Sequence, residues 1–502
     1  MTNCSKLIKE RLSRPDGRAI VLGLGVSNIP LAGILRGMLP PGRLEIRDAK
    51  TCEALAPSLA KLFGVSADSV PAGDGEYSGV RIRTGAEPAY FTDEELATVT
   101  PGTVLFRSPG IRPDAGRLTE AVAAGALLTS EMEWFCSGTP ADIFAITGSD
   151  GKTTTTTVTS LLLSGSGRKT FLGGNIGTPL LDRLGEMREG DVAVLELSSF
   201  QLQTMDGPAK RAAITNITPN HLNWHTSMEE YTEAKYNIFG DGTELLVLNA
   251  KNPLSRAAAE RYNGHVTFFT AHSAPGEGFA EITKGRPDST AVWLKEGFAV
   301  MSDGSSEKKL FAVSDVKLPG IHNIENYMTA AALTDGYADP EVLVKTAREF
   351  GGVEHRFELV RTLGGVRFYN SSIDSSPTRT VAALSNLSCR QIVICGGRDK
   401  HVPFDPLAEA LFEKASAVVL TGEAAGQIKD AIRRAAASRP DGGASLTVKE
   451  EPDFDEAVRT AAGLATPGSA VLLSPACTSF DRFANFAERG DRFKEIVNSL
   501  TK

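Results

Sequence analysis

Cysteine is scarce in this chain. There are six among 502 residues, and none of them (Cys4, Cys52, Cys136, Cys389, Cys395, Cys477) forms a C-x-x-C pair or lies near a histidine at zinc-ligand spacing. A disulfide framework or a cysteine zinc site is thereby disfavoured, and a reducing cytoplasm fits better. Long apolar runs are missing too. The longest uncharged stretches, residues 19–35 and 460–480, are broken by Gly, Pro and Ser, so neither is the roughly 20-residue span that a transmembrane helix needs. The stretch MTNCSKLIKERLSRPDGR lacks an apolar core, and no signal peptide is expected from it. Positive charge is not in excess: 53 Lys and Arg face 61 Asp and Glu, a net charge of -8. That argues against a nonspecific nucleic-acid binder and against a cationic membrane-surface protein.

Glycine, by contrast, is plentiful at 49 residues, as suits many tight strand-to-helix turns. The length corresponds to roughly three domains. Short Val/Ile/Leu runs recur, each ending in a small or polar residue and leading into a helix-like stretch. They are AIVLGLG from Ala19, LEIRD from Leu44, IFAITG from Ile143, VAVLELS from Val192, AAITNIT from Ala212, LLVLNA from Leu245, QIVICGG from Gln391, AVVLTG from Ala417 and AVLLSP from Ala470. Such runs read as strands buried on both faces of parallel sheets, and their alternation with helices makes the class α/β. Breaks at SGTPAD and GGVEHRF suggest three domains over residues 1–138, 139–352 and 353–502. Residues 271–316 lack the alternation and read as short antiparallel strands or an insertion. In α/β sheets ligands bind where strands end, so the residues after each run are the ones to inspect.

Gly23-Leu24-Gly25-Val26-Ser27-Asn28 follows the first run. A dinucleotide fingerprint needs a third glycine where Asn28 stands, so the turn reads equally as a nucleotide site or as a tight turn needing glycine for its backbone. Asp48, ending the next run, stands where an acid can accept hydrogen bonds from a ribose. A second loop, Gly148-Ser149-Asp150-Gly151-Lys152-Thr153-Thr154, is more specific: strand, glycines, lysine and hydroxyl fall in the order that cradles phosphates. It predicts ATP binding, with Lys152 at the terminal phosphates. Glu196, closing VAVLE, is placed to hold Mg²⁺ with Thr153. His221 and His225 stand four apart and would share a face if helical, a zinc-like spacing, though on spacing alone a structural role suits both better. Lys235, in EEYTEAKYNIF, reads as a solvated helix lysine.

Together ITGSDGKTT, GGNIGTPL, LELSSFQL, NITPNHLNWH, GIHNIENYMTAA, HRFELV, GGRDK and LSPACTSFDRFANFAERGDRFKEIV resemble the Mur ligase family of ATP-dependent amide-forming enzymes, and in particular its D-glutamate-adding branch. The D-N-P-R motif of the diaminopimelate-adding branch is absent. The resemblance implies a Rossmann-like N-terminal domain, a central P-loop ATPase-type domain and a Rossmann-like C-terminal domain. It implies addition of D-glutamate to UDP-N-acetylmuramoyl-L-alanine through an acyl phosphate, using ATP and Mg²⁺; with the composition above, the expectation is a cytoplasmic monomer with no nucleic-acid or membrane partner.

The same resemblance implies roles for individual residues. Gly25, Val26, Ser27, Asn28, Asp48, Ser108 and Gly110 would hold the UDP moiety, while Asn175, Ser198 and Gln201 line the channel to the acyl acceptor. ATP would be held by the loop from Gly148 to Thr154, by Asn323 and Asn326, and by Arg356 and Asp374. Thr153, Glu196, His221 and Lys235, the last as a carbamate, would serve the metal; Lys152, Glu196, His221 and Lys235 form the catalytic set. Lys400, Ser479 and Phe486 would receive D-glutamate. One segment departs: where the branch has N-D-S-K-A-T, this chain reads Asn370-Ser371-Ser372-Ile373-Asp374-Ser375, and Asp374 is the candidate replacement for the missing acid. Two rival readings are a related ligase for another amino acid and a regulatory ATPase without ligation.

Overall fold

The apolar runs form strands that sort into three sheets in a computed structural model describing residues 4–70, 73–222, 224–273, 276–284, 286, 288–399, 402–439 and 442–501. The first sheet has the spatial order Gly75–Tyr77, Val80–Thr84, Leu44–Asp48, Arg18–Leu22, Thr103–Arg107, Leu127–Thr129, and only its Gly75–Tyr77 edge is antiparallel. In the second, nine strands run Glu307–Ala312, Phe298–Ser302, Ser289–Lys295, His265–Thr270, Leu245–Asn249, Arg211–Ile214, Asp142–Thr147, Val192–Glu196, Thr170–Gly174. Its pairings are parallel except the two made by Phe298–Ser302. Within the 271–316 stretch, Ser289–Lys295, Phe298–Ser302 and Glu307–Ala312 therefore extend this sheet with an antiparallel meander. The third sheet is ordered Glu358–Leu363, Val366–Asn370, Ala470–Leu473, Gln391–Gly396, Ala415–Thr421, Thr447–Glu450, with one antiparallel edge.

Every residue of Leu44–Asp48, Thr103–Arg107, Val192–Glu196 and Leu245–Asn249 is buried, which is why the last three show no polar alternation. The helix Lys152–Gly165 opens on five threonines, poor helix formers because of their β-branching. Thr156 and Thr157 satisfy their hydroxyls on the carbonyls of Lys152 and Thr153, both at 2.8 Å. Burial of Thr155, Thr156 and Thr159 offsets the helix cost.

The chain divides into two compact units, Met1–Asp315 with His322–Ala347 and Val316–Ile321 with Arg348–Lys502. The first unit holds two sheets because they share one apolar core. Phe106, Met132, Trp134 and Phe135 from the N-terminal part join Ile143, Phe171, Leu180 and Leu195 in a single cluster. In the second unit separate clusters, around Leu411 and Leu420 and around Ile394 and Phe493, cover the third sheet. No helix among the described residues is long and apolar enough to cross a membrane.

The helix Glu131–Gly138 carries two acids into the shared core. Burial pushes the carboxyls of Glu131 and Glu133 up from 4.5 to about 7. The folded state thus keeps protons that the unfolded chain releases, so their contribution to stability is complete below about pH 4.5 and is lost as pH rises toward and past about 7. Glu131→Gln is expected to raise the melting temperature at pH 8 and to leave it nearly unchanged at pH 5. Equal shifts at both pH values in thermal scans would contradict a proton-linked cost.

Candidate active site

Asp142–Thr147 is an interior strand of the second sheet, between Arg211–Ile214 and Val192–Glu196, and the loop beyond it leads into Lys152–Gly165. The loop's glycines are obligatory. Gly148 has φ +148°, and a Cβ there would meet Thr215 Oγ1 at 1.9 Å; Gly151 has φ +79°, and its Cβ would meet Asn326 Oδ1 at 2.4 Å. The helix has no side-chain cap hydrogen bond, and a helix start directs its amides and positive dipole end toward a bound anion. Neighbouring segments pin the loop. Ser149 Oγ donates to Thr218 O at 3.0 Å and meets Tyr231 Oη at 2.9 Å, while Asp150 N donates to Asn216 Oδ1 at 2.9 Å. Lys152 Nζ lies across the loop, donating to Gly148 O at 3.0 Å and Ser149 O at 2.9 Å.

Thr153 Oγ1 donates to Glu196 Oε2 at 2.7 Å, and Asn175 Nδ2 donates to Glu196 Oε1 at 2.9 Å. A buried hydroxyl and carboxylate side by side at the end of a phosphate loop form a hard oxygen set, the kind that suits Mg²⁺. Asn326 closes the other side. Its Oδ1 meets Thr155 Oγ1 at 3.2 Å, and its Nδ2 donates to Asn323 Oδ1 at 3.1 Å.

Lys235 is not a solvated lysine: it is 1% exposed. It lies one turn beyond Tyr231 on the helix Met228–Tyr236, with Nζ 4.5 Å from the Tyr231 ring centre, and it donates to Gly148 O at 2.7 Å. Burial first, and the Lys152 ammonium second, drive its pKa well below the ordinary lysine range. His221 has φ +55° and rests its ring edgewise on Phe200, with centroids 5.0 Å apart. Its pKa is lowered by burial and then by Lys152 and Lys235, which favours the neutral imidazole that ligates metals. The helical face shared by His221 and His225 does not form, because the left-handed backbone at His221 breaks any helix there. His225 turns inward instead, buried, with Nε2 2.9 Å from Ser199 Oγ. Ser198 and Gln201 form a capping box on helix Ser199–Leu202, with Gln201 Oε1 accepting from both Ser198 N and Ser198 Oγ.

On the first sheet, Gly25 to Asn28, Asp48, Ser108 and Gly110 follow the ends of three adjacent strands. Asp48 has a local partner for each oxygen: Leu24 N donates to Oδ2 at 2.7 Å and Lys50 N to Oδ1 at 2.9 Å. It braces the glycine turn itself. Asn28 Nδ2 donates back to Gly23 O at 2.7 Å, so the asparagine that replaces the third glycine locks the turn.

In the second unit, residues 370–374 are held from several sides. Ser371 Oγ accepts from Phe357 N at 3.1 Å, Ser372 Oγ donates to Phe486 O at 2.7 Å, and Asp374 Oδ2 accepts from Ser474 Oγ at 2.8 Å. Burial raises the Asp374 pKa. Ser479 is buried, whereas Arg356 and Phe486 are exposed. Lys400 lies outside the described residues.

Sequence reasoning missed Tyr231 and Asn216, which position the loop, and the arginines that flank Ser108 and Gly110. Tyr231 had a signal, its four-residue spacing from Lys235.

Comparison with known proteins adds the following. The Mur ligase middle domain matches residues 146–334, and the Mur ligase glutamate ligase domain matches residues 355–477. The UDP-N-acetylmuramoylalanine-D-glutamate ligase of Ruminiclostridium cellulolyticum is 41% identical over 498 residues, covering 99% of each chain. The protein of that name from Acetivibrio thermocellus is 45% identical over 399 residues, 79% of this chain and 83% of that one. Among solved structures, a UDP-N-acetylmuramate-alanine ligase of Thermotoga maritima aligns with a TM-score of 0.50 and 18% identity, over 96% of this chain and 99% of that one. At that identity the likeness shows a shared fold.

Proposed function

The chain belongs to the Mur ligase family, and from that membership we propose that it joins the amino group of D-glutamate to the L-alanyl carboxylate of UDP-N-acetylmuramoyl-L-alanine, at the expense of ATP, in peptidoglycan precursor synthesis. Relatives of that name align with nearly the whole chain. The structural observation that carries the reading is the convergence of Lys152 and Lys235 on Gly148 O, beside the Thr153–Glu196 pair.

Bound ATP and Mg²⁺ would supply the phosphoryl group that turns the poorly electrophilic carboxylate into an acyl phosphate, and the charge to offset its oxygens. The D-glutamate amine then attacks the acyl carbon, the new C–N bond expels phosphate, and the nitrogen gives up a proton. Lys152 is placed to exchange loop carbonyls for phosphate oxygens. Thr153, Glu196 and His221 would hold the metal, with Asn175 orienting Glu196. A neutral Lys235 amine can add CO₂, forming an N–C bond and releasing a proton, and so replace a buried cation by an oxygen ligand. Asn323 and Asn326 are assigned to the adenosine, and Arg356 and Asp374 to the phosphate end of ATP. Gly25 to Asn28, Asp48, Ser108 and Gly110 are assigned to UDP, and Ser198 and Gln201 to the channel. Lys400, Ser479 and Phe486 are assigned to D-glutamate, whose second carboxylate calls for cationic and hydroxyl partners. On this reading residues 1–138, 139–352 and 353–502 bind UDP-sugar, ATP and amino acid, in a cytoplasmic monomer.

Mass analysis of the nucleotide product tests the reading. Incubation with UDP-N-acetylmuramoyl-L-alanine, ATP, Mg²⁺ and a mixture of amino acids is expected to add one glutamyl residue. Addition of a different residue, or ADP formation with no addition, would contradict it.

For the departing segment, Asp374→Ala is expected to lower kcat/KM for ATP by about tenfold or more, and Ser371→Ala by much less, since Asp374 offers the buried carboxylate. Steady-state kinetics giving the opposite ranking would return the role to position 371.

A further inference from the structure

The turn over residues 107–112, which carries Ser108 and Gly110, is fastened at both ends to the central part of the first unit. At one end Arg107, 1% exposed, donates through Nη2 to Phe200 O at 2.8 Å and to Thr204 Oγ1 at 3.1 Å. Phe200 is the residue on which the His221 ring rests. At the other end Arg112 donates through Nη1 to Trp224 O at 2.5 Å and through Nη2 to Glu230 Oε1 at 3.0 Å. Its guanidinium also lies 5.2 Å from the Trp224 ring centre, and Asp114 takes Nε and Nη2 at 2.8 and 2.9 Å.

Glu230 is a junction. Besides Arg112 it accepts from Gln203 Nε2 at 2.6 Å, from Thr226 N at 2.6 Å and from Thr226 Oγ1 at 2.5 Å, and it stands 3.8 Å from His225 Nδ1. Burial opposes its ionisation, but the Thr226 and Arg112 hydrogen bonds outweigh that and hold its carboxyl at about 2. It also lies on the same helix as Lys235. An exposed ion pair would be worth little. This one differs: both side chains are about one-fifth exposed, and one guanidinium grips a backbone carbonyl and a carboxylate together.

We propose that Arg112 is a positioning residue that couples the two halves of the reaction site: through Trp224 O and Glu230 it ties the placement of His221 and of the Lys235 helix to the turn assigned to the UDP-sugar substrate. The inference rests on the ligase reading above. Occupancy of the turn by UDP-sugar and occupancy of the His221 side by metal should then favour one another, because both stabilise the same arrangement.

The test is steady-state kinetics of the parent, Arg112→Gln and Arg112→Lys with UDP-N-acetylmuramoyl-L-alanine, D-glutamate and Mg²⁺ varied in turn, together with thermal melting. For Arg112→Gln, the KM for the UDP substrate and the Mg²⁺ concentration giving half-maximal rate are both expected to rise about fivefold or more. The KM for D-glutamate should stay within about twofold and the melting temperature within about 2 °C. Arg112→Lys, keeping one donor for Glu230, should recover part of both. A rise in one constant without the other, no rise in either, or a uniform loss of kcat accompanied by a fall in melting temperature would overturn the proposal. Turnover by the parent decides the ligase reading separately; an inactive parent would remove both.

Discussion

Lys152→Met is expected to reduce kcat by about 10²-fold or more while leaving the protein folded. The loop's shape comes from Gly148 and Gly151 and from the bonds of Ser149 and Asp150 to Thr218, Tyr231 and Asn216. Lys152 adds a cation to that frame, resting on the Gly148 and Ser149 carbonyls. Methionine keeps most of the stem and none of the charge, so the loss should appear in turnover, with the melting temperature near that of the parent. A variant within a few-fold of the parent would show that this loop is not where ATP reacts.

Lys235→Arg should be almost inactive, below about 1% of parent turnover. The lysine is buried against Tyr231 and the Gly148 carbonyl, where burial and Lys152 disfavour its charged form. An amine can escape that cost by losing its proton and taking up CO₂; a guanidinium does neither, and a second fixed cation then faces Lys152. Labelling with ¹³C-bicarbonate gives an independent readout: a carbamate resonance is expected in the parent and not in the variant. Full activity of Lys235→Arg, or no carbamate in an active parent, would leave Lys235 as a packing residue.

What could be read from the sequence was whatever is contiguous. The phosphate loop was legible because strand, glycines, lysine and threonine follow one another, and the central strands because burial on both faces makes them uniformly apolar. Val80–Thr84, next to one edge of the first sheet, and Thr447–Glu450, at an edge of the third, carry charges and gave no such run. The burial of Lys235 was hidden by its polar helix, MEEYTEAKY, whose apolar residues are too few to mark a core face. Asp48 illustrates a different limit, since the end of a strand suits a ribose acceptor and a brace for the preceding turn equally well, and only the Leu24 and Lys50 amides reveal the second use. The Arg112–Glu230 bond joins residues 118 apart, beyond the reach of any local pattern.

Phosphate release measured with ATP and Mg²⁺ while one substrate at a time is withheld bears most directly on the assigned reaction. Release is expected only when UDP-N-acetylmuramoyl-L-alanine and D-glutamate are both present, with L-glutamate giving little. Brisk release with ATP alone, or equal rates with the two glutamate enantiomers, would contradict it.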